Sequence, residues 1–370
     1  MVTTLVFLVL AALFVAYANG ANDNFKGVAT LYGSGTLEYR GALLLATVAT
    51  FLGSLAALYV GGSLISSFSG RGLVPDTVVA DPAFLSAVGF GGALTVLLAT
   101  RLGFPVSTTH ALVGALIGAG IIEAGAAVNL GRLSSMFLMP LLISPIIASA
   151  LASAQYPTFS ALRRRLGITR ETCVCAGEEL VPVATLGGTA TAARVTTLTL
   201  DTTPKCIERY QGAVVGVDAT TLLNGLHYAS AAAVSFARGV NDTPKIVALL
   251  LAAHLVAPRH AFVLVGIAIA LGGLLGARRV AETMSHKITP MNPGQAFTGN
   301  LVTALLVLFA SRLGLPVSTT HVACGALGGI GAVNRQAHWS TIGQILLAWV
   351  TTLPLAAALA AATALVLAVR

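Results

Sequence analysis

Charge is the scarcest property of this chain of 370 residues: 9% of them are Asp, Glu, Lys or Arg, while 56% are apolar. A soluble domain carries about a quarter charged residues, so a water-facing globular protein is excluded. No basic stripe interleaved with aromatics exists, and nucleic acid is not an expected partner despite a net charge of +8. HExxH, phosphate-binding GxxxxGK[ST] and dinucleotide motifs are all missing, which speaks against direct use of ATP, and no cofactor is expected. The first apolar run, residues 2–18, lacks a basic leader and a small-residue cleavage site. It reads as a membrane span rather than a signal peptide. Cysteines number only four, and Cys173, Cys175 and Cys206 share one polar stretch. A metal site there would need a fourth ligand. Plain reduced thiols are the simpler expectation.

What the sequence does have is apolar length. Seven long runs begin near residues 2, 42, 83, 136, 261, 301 and 345, and several approach the roughly 20 residues that cross a bilayer. The chain is expected to be an all-α polytopic membrane protein, with the lipid bilayer as its surroundings.

It is also written twice. ATRLGFPVSTTHALVGALIG at 99–118 aligns with ASRLGLPVSTTHVACGALGG at 310–329, and ANGANDNFKGVA at 18–29 aligns with ARGVNDTPKIVA at 237–248. Two motifs recurring in the same order imply a duplicated unit. The expected division is a first transmembrane repeat at 1–157, a polar linker at 158–210 and a second repeat at 211–370. The linker carries Arg163–Arg165 and the strand-like VTTLTL, so it is expected to form a small extramembrane lobe with a strand or two. Each half offers five membrane elements. An odd number places the halves upside down relative to each other, the inverted-repeat plan of many secondary transporters. With both termini outside, Arg40, Arg163–Arg165, Arg170, Arg278, Arg279, Lys287 and Arg335 fall on the cytoplasmic side, as the positive-inside rule requires.

Polar strings inside spans are costly, because backbone groups find no water in hydrocarbon. In PVSTTH the proline stops one helix, and Ser107, Thr108 or Thr109 can cap the next. A helix start with free N–H groups and nearby hydroxyls suits an oxyanion. Ser318, Thr319 and Thr320 would bring a second such tip from the opposite direction, so that discontinuous helices meet at the midplane. Asn22-Asp23 and Asn241-Asp242 place carboxylates in apolar sequence, where such groups are functional by default. Asn22, Asp23, Asn241, Asp242, Thr109 and Thr320 are candidate sodium ligands; the aspartates can equally hold a proton. Lys26 and Lys245 add built-in positive charge. Gly114/Gly118 and Gly325/Gly329 are expected to permit close helix packing. His110 and His321 are expected to orient the hydroxyls.

At these residues the sequence resembles the inorganic phosphate transporter (PiT) family. GANDNFKGVATLYGSG and GVNDTPKIVAL look like its twice-repeated GANDVANA-type signature, and both PVSTTH strings match its second repeated element. The resemblance implies symport of inorganic phosphate with sodium or protons through a central site between the halves. Asn22, Asp23, Asn241 and Asp242 would serve cation and substrate, while Ser107, Thr108, Thr109, Ser318, Thr319 and Thr320 would wrap the anion. The chain departs from the pattern at Thr50 and Asn300, near places where sodium-coupled members often carry glutamate, and at Lys26, where small residues are usual. Lys26 and Lys245 are therefore expected to share the cations' work of holding the anion. The alternative is a proton-coupled permease for sulfate or another tetrahedral oxyanion; an anion channel is less favoured. An enzyme is not expected, because catalysis needs one asymmetric site and Ser107–His110 occurs twice. The expected location is the cell (plasma) membrane, and a homodimer is one expected assembly.

Overall fold

In the computed structural model, which describes residues 2–184, 190–210 and 214–368, ten helices of fifteen residues or more form the main body. The first five are α1 (Val2–Asp23), α2 (Tyr39–Val60), α3 (Pro82–Leu102), α4 (Thr108–Ala124) and α5 (Met139–Arg165). The second five are α6 (Ala219–Ala252), α7 (Pro258–Gly276), α8 (Pro293–Arg312), α9 (Thr319–Val333) and α10 (Trp339–Ala368). Eight of the ten are long and apolar enough to cross a membrane. The other two are α9, which has 15 residues, and α6, which carries Arg238, Asp242 and Lys245. Leu44, Leu52, Leu98, Leu271 and Leu347 point outward, while Asn, Asp, Lys, Ser and Thr side chains gather inside. That distribution suits hydrocarbon surroundings, where every polar group must be satisfied within the protein.

The packing repeats with a step of five helices. α1 lies against α3 and α7, and α6 lies against α8 and α2. α4 lies against α10, and α9 against α5. Thus α2 and α5 pack on elements of the second set, and α7 and α10 on elements of the first. The glycines at the crossings explain the close approach: a Cβ on Gly118 would sit 1.9 Å from the Ala357 carbonyl, and one on Gly329 would sit 2.5 Å from that of Ser149. Small-xxx-small spacing thus brings backbones into contact, as expected for helix pairs in lipid.

Local chemistry builds the two tips. α3 ends at Gly103, with φ 78°, and α8 is followed by Gly314, with φ 70°. Glycine adopts that left-handed conformation without strain, so it ends each helix before the proline is reached. The stop expected of proline is thus made by glycine. Ser107 and Ser318 then cap α4 and α9, accepting from the N–H groups of His110 (3.1 Å) and His321 (3.3 Å). After the first Asn-Asp element, α1 gives way to a turn of 3-10 helix, Asn24–Gly27. Its counterpart lies within unbroken α6 despite Pro244.

The polar segment begins as helix, since α5 continues through Pro157 to Arg165. It then forms three antiparallel strands, β1 (Thr172–Ala184), β2 (Ala190–Thr202) and β3 (Val214–Asp218), in the order β2-β1-β3. Cys175 and Cys206 form a disulfide that ties β1 to a short helix, Thr203–Arg209, and Cys173 is a buried free thiol beside them. The expectation of plain reduced thiols is therefore corrected. Two of the three clustered sulfurs are spent on each other rather than available to a metal.

Candidate functional site

All twelve side chains singled out as substrate or cation ligands are buried: Asn22, Asp23, Lys26, Ser107, Thr108, Thr109, Asn241, Asp242, Lys245, Ser318, Thr319 and Thr320. Hydrogen bonds join the two tips across the halves. Lys26 Nζ donates to Asn22 Oδ1 (2.8 Å), to the Val106 carbonyl (2.7 Å) and to Thr320 Oγ1 (2.6 Å), and it pairs with Asp23 Oδ1. Lys245 Nζ donates to Thr109 Oγ1 (2.7 Å), the Val317 carbonyl (2.8 Å) and Asp242 Oδ1 (3.3 Å). Each lysine thus bridges its own Asn-Asp element to both tips.

The asparagines hold the tips in place. Asn22 Nδ2 donates to Thr100 Oγ1 (2.9 Å) and the Phe104 carbonyl (3.0 Å), and its Oδ1 accepts from Val106 N–H (3.1 Å). Asn241 Oδ1 accepts from Ser311 Oγ (3.1 Å), and its Nδ2 donates towards Thr319 Oγ1 (3.2 Å) and the Val317 carbonyl (3.3 Å). Thr100 and Ser311 occupy equivalent places in the repeat. Of the six candidate sodium ligands, Asn22, Asp23 and Thr320 surround one ammonium, and Asp242 and Thr109 surround the other. The Asn241 amide oxygen faces Ser311 instead.

Two residues outside the expected set complete the centre. Arg238, with no exposed surface, donates to Asn19 Oδ1 (2.7 Å), Asn24 Oδ1 (3.0 Å) and Thr50 Oγ1 (3.2 Å), and lies 3.7 Å from Asp242 Oδ2. Asn19 Nδ2 lies 2.9 Å from Asp23 Oδ2, 3.0 Å from Thr108 Oγ1 and 3.2 Å from Asp242 Oδ2. Thr108 Oγ1 also donates to Asp23 Oδ2, at 3.1 Å. The repeat alignment sets Asn19 opposite Arg238, so they sit where the two copies differ, and a search for matching letters passes over them. The available signal was a lone arginine in an apolar run, one residue before Gly239 and four before Asp242. The Val106 and Val317 carbonyls carried no side-chain signal at all.

Charge follows from this census. Three buried cations, Lys26, Lys245 and Arg238, face two buried carboxylates, Asp23 and Asp242. One positive charge is left over, in surroundings where an uncompensated charge is costly. Two helix N-termini add partial positive charge at the same place. The arrangement is suited to an anion.

The histidines do something other than orient hydroxyls. The His110 and His321 rings meet edge to face with centroids 4.5 Å apart, and His321 stacks on Trp349 at 3.7 Å. Trp349 Nε1 donates to the Pro105 carbonyl (3.1 Å), so this stack braces the first tip. Asn300 donates to Thr30 Oγ1 (2.9 Å), which His227 Nε2 also approaches (3.0 Å). Beyond them, where α5, α6 and α8 meet the loop at Ser34–Thr36, a cavity of about 1020 Å³ is lined by Tyr156, Arg163, Arg170, Asn292 and Thr298, among others.

The model of the phosphate transporter family matches residues 19–360. A protein of Rhizobium meliloti named as a probable low-affinity inorganic phosphate transporter is 30% identical, with 96% of this chain and 94% of that protein aligned. The chloroplastic inorganic phosphate transporter 2-1 of Arabidopsis thaliana is 26% identical over 95% of this chain and 70% of its own length. A solved structure described as the sodium-dependent phosphate transporter shares the fold, with a TM-score of 0.76, 22% identity and 99% of both chains covered. A match across nearly the whole chain, including both Asn-Asp elements and both hydroxyl tips, places this protein in the phosphate transporter family.

Proposed function

We propose that this protein is a secondary active transporter that imports inorganic phosphate together with a cation, sodium or a proton, across the plasma membrane. One observation carries the reading: two hydroxyl-bearing helix starts converge on twin Asn-Asp elements in a buried centre with one unmatched positive charge. Ser107, Thr108, Thr109, Ser318, Thr319 and Thr320 hold the anion by their hydroxyls and the adjoining N–H groups. Asp23 and Asp242 hold the co-transported charge and accept a hydrogen bond from a protonated phosphate oxygen, which sulfate cannot offer. Arg163 and Arg170 draw anions into the cavity beside the three-stranded sheet. The two halves act as inverted repeats, rocking about the common site, with the sheet on the cytoplasmic side and both termini outside.

The test is uptake of labelled phosphate by proteoliposomes holding the purified chain. Accumulation against a phosphate gradient, driven by an imposed sodium or pH gradient and competed weakly by sulfate, is the expected result. Uptake that only ever runs downhill would replace the symporter by a channel. Stronger competition by sulfate than by unlabelled phosphate would transfer the reading to a sulfate permease.

A further inference from the structure

Most polar groups in this centre have a role in holding the anion or joining the halves. The two lysines stand out because a carrier with a mobile cation does not need them. The shell around each is chemically specific. Lys26 Nζ is met by a carboxylate, an amide oxygen, a backbone carbonyl and a hydroxyl, from Asp23, Asn22, Val106 and Thr320. Lys245 Nζ is met by a carboxylate, a hydroxyl and a backbone carbonyl, from Asp242, Thr109 and Val317. Carboxylate, carbonyl and hydroxyl oxygens are what a hard cation takes. All of them accept from the ammonium, which is a pure donor with three N–H groups, while the Thr320 and Thr109 hydroxyls pass their own protons on to the Val106 (2.9 Å) and Val317 (3.4 Å) carbonyls.

We propose that Lys26 and Lys245 are resident cations: their ammonium groups fill the two oxygen cages that a sodium ion would otherwise occupy, so the centre binds its anion without sodium. The proposal rests on the oxyanion-transport reading above and narrows its coupling ion. Three further observations support it. All four carboxylate oxygens are already engaged. Asp23 Oδ1 faces Lys26 and its Oδ2 faces Asn19 and Thr108; Asp242 Oδ1 faces Lys245 and Asn241, and its Oδ2 faces Asn19 and Arg238. A sodium ion would have to displace one of these donors. Next, each lysine follows its aspartate by three residues, so the pair forms within one segment and the ammonium is tethered to its cage. Finally, the same arrangement occurs in both halves although one lysine sits in a 3-10 turn and the other in unbroken α6. Two different backbones deliver the same nitrogen to the same kind of cage.

The experiment uses the full chain in detergent, with two readouts: equilibrium binding of inorganic phosphate, and the thermal unfolding midpoint without phosphate. Each is measured in sodium chloride and in choline chloride. For the unaltered protein, the expected phosphate affinity and unfolding midpoint are the same in both salts. Lys26→Ala and Lys245→Ala empty a cage. They are expected to lower phosphate affinity in choline by about tenfold or more, the scale of one lost charge-assisted contact. Sodium or methylammonium should restore part of the loss and raise the midpoint of these variants. Sodium-dependent phosphate binding by the unaltered protein overturns the proposal and leaves the transport reading standing, whether or not the variants fold. A protein that binds no phosphate in either salt, yet whose Lys26→Ala form gains a sodium-dependent midpoint, keeps the proposal and removes the transport reading.

Discussion

Arg238→Met is the substitution that asks most of this account, because no sequence motif marked the residue. The change keeps an unbranched apolar stem and removes a guanidinium with no exposed surface. Three oxygens lose their donor: Asn19 Oδ1 at 2.7 Å, Asn24 Oδ1 at 3.0 Å and Thr50 Oγ1 at 3.2 Å. Thr50 still donates to the Ser235 carbonyl at 3.1 Å, so the two amide oxygens bear most of the loss. A buried acceptor left unpaired costs about 1–3 kcal/mol. Asp242 also loses a cation 3.7 Å away but keeps Lys245 at 3.3 Å, so no carboxylate is left without a cation. The expected loss of stability is therefore about 2–5 kcal/mol, set by the two amide oxygens, with the unmatched positive charge of the centre gone. Phosphate affinity is expected to fall by about tenfold to a hundredfold, at roughly 1.4 kcal/mol per decade. Arg238→Lys keeps the charge but not the fork that reaches Asn19 and Asn24 together, so it should fall between the two. Thermal unfolding and equilibrium phosphate binding of the purified variants check both numbers. An Arg238→Met protein with unchanged midpoint and unchanged affinity would refute the reasoning.

Other positions give cheaper tests. Gly118→Ala would place a Cβ 1.9 Å from the Ala357 carbonyl, so α4 and α10 must separate; a cost of about 1–3 kcal/mol is expected as a lower unfolding midpoint, whereas Gly62→Ala, with nothing near it, should leave the midpoint in place. Trp349→Phe keeps an aromatic face for His321 but removes the donor to the Pro105 carbonyl; it should cost about 1 kcal/mol of stability and weaken phosphate binding through a looser first tip. Thiol titration of the unfolded, unreduced chain should find two free thiols, Cys173 and Cys324, and four after reduction. Four thiols before reduction would show that Cys175 and Cys206 are not bonded.

Duplication is why so much of the centre was legible in the sequence. The tips at Ser107–Thr109 and Ser318–Thr320 and the aspartates at 23 and 242 each appear twice, and a polar string repeated within apolar sequence has few explanations other than a shared site. The packing glycines were legible for the same reason. What the letters hid falls into three physical kinds. Arg238 and Asn19 are where the copies differ, so repetition worked against finding them. The Val106 and Val317 carbonyls belong to backbone, whose role depends on where a helix starts. The brace of Trp349 on Pro105 is a contact across 244 residues of chain, which no local pattern encodes. The polar segment was legible as strand-forming through VTTLTL, but its third strand, Val214–Asp218, is short and pairs only because β1 offers an open edge beside it.

Two tips that form one anion site must both touch the same ion, which a cryo-EM structure of the purified chain in saturating phosphate would show. Phosphate density is expected within hydrogen-bonding reach of groups from both Ser107–Thr109 and Ser318–Thr320, with Lys26 and Lys245 still in their oxygen cages. Phosphate bound to one tip alone, or lodged only in the outer cavity with the tips unchanged, would contradict a shared site.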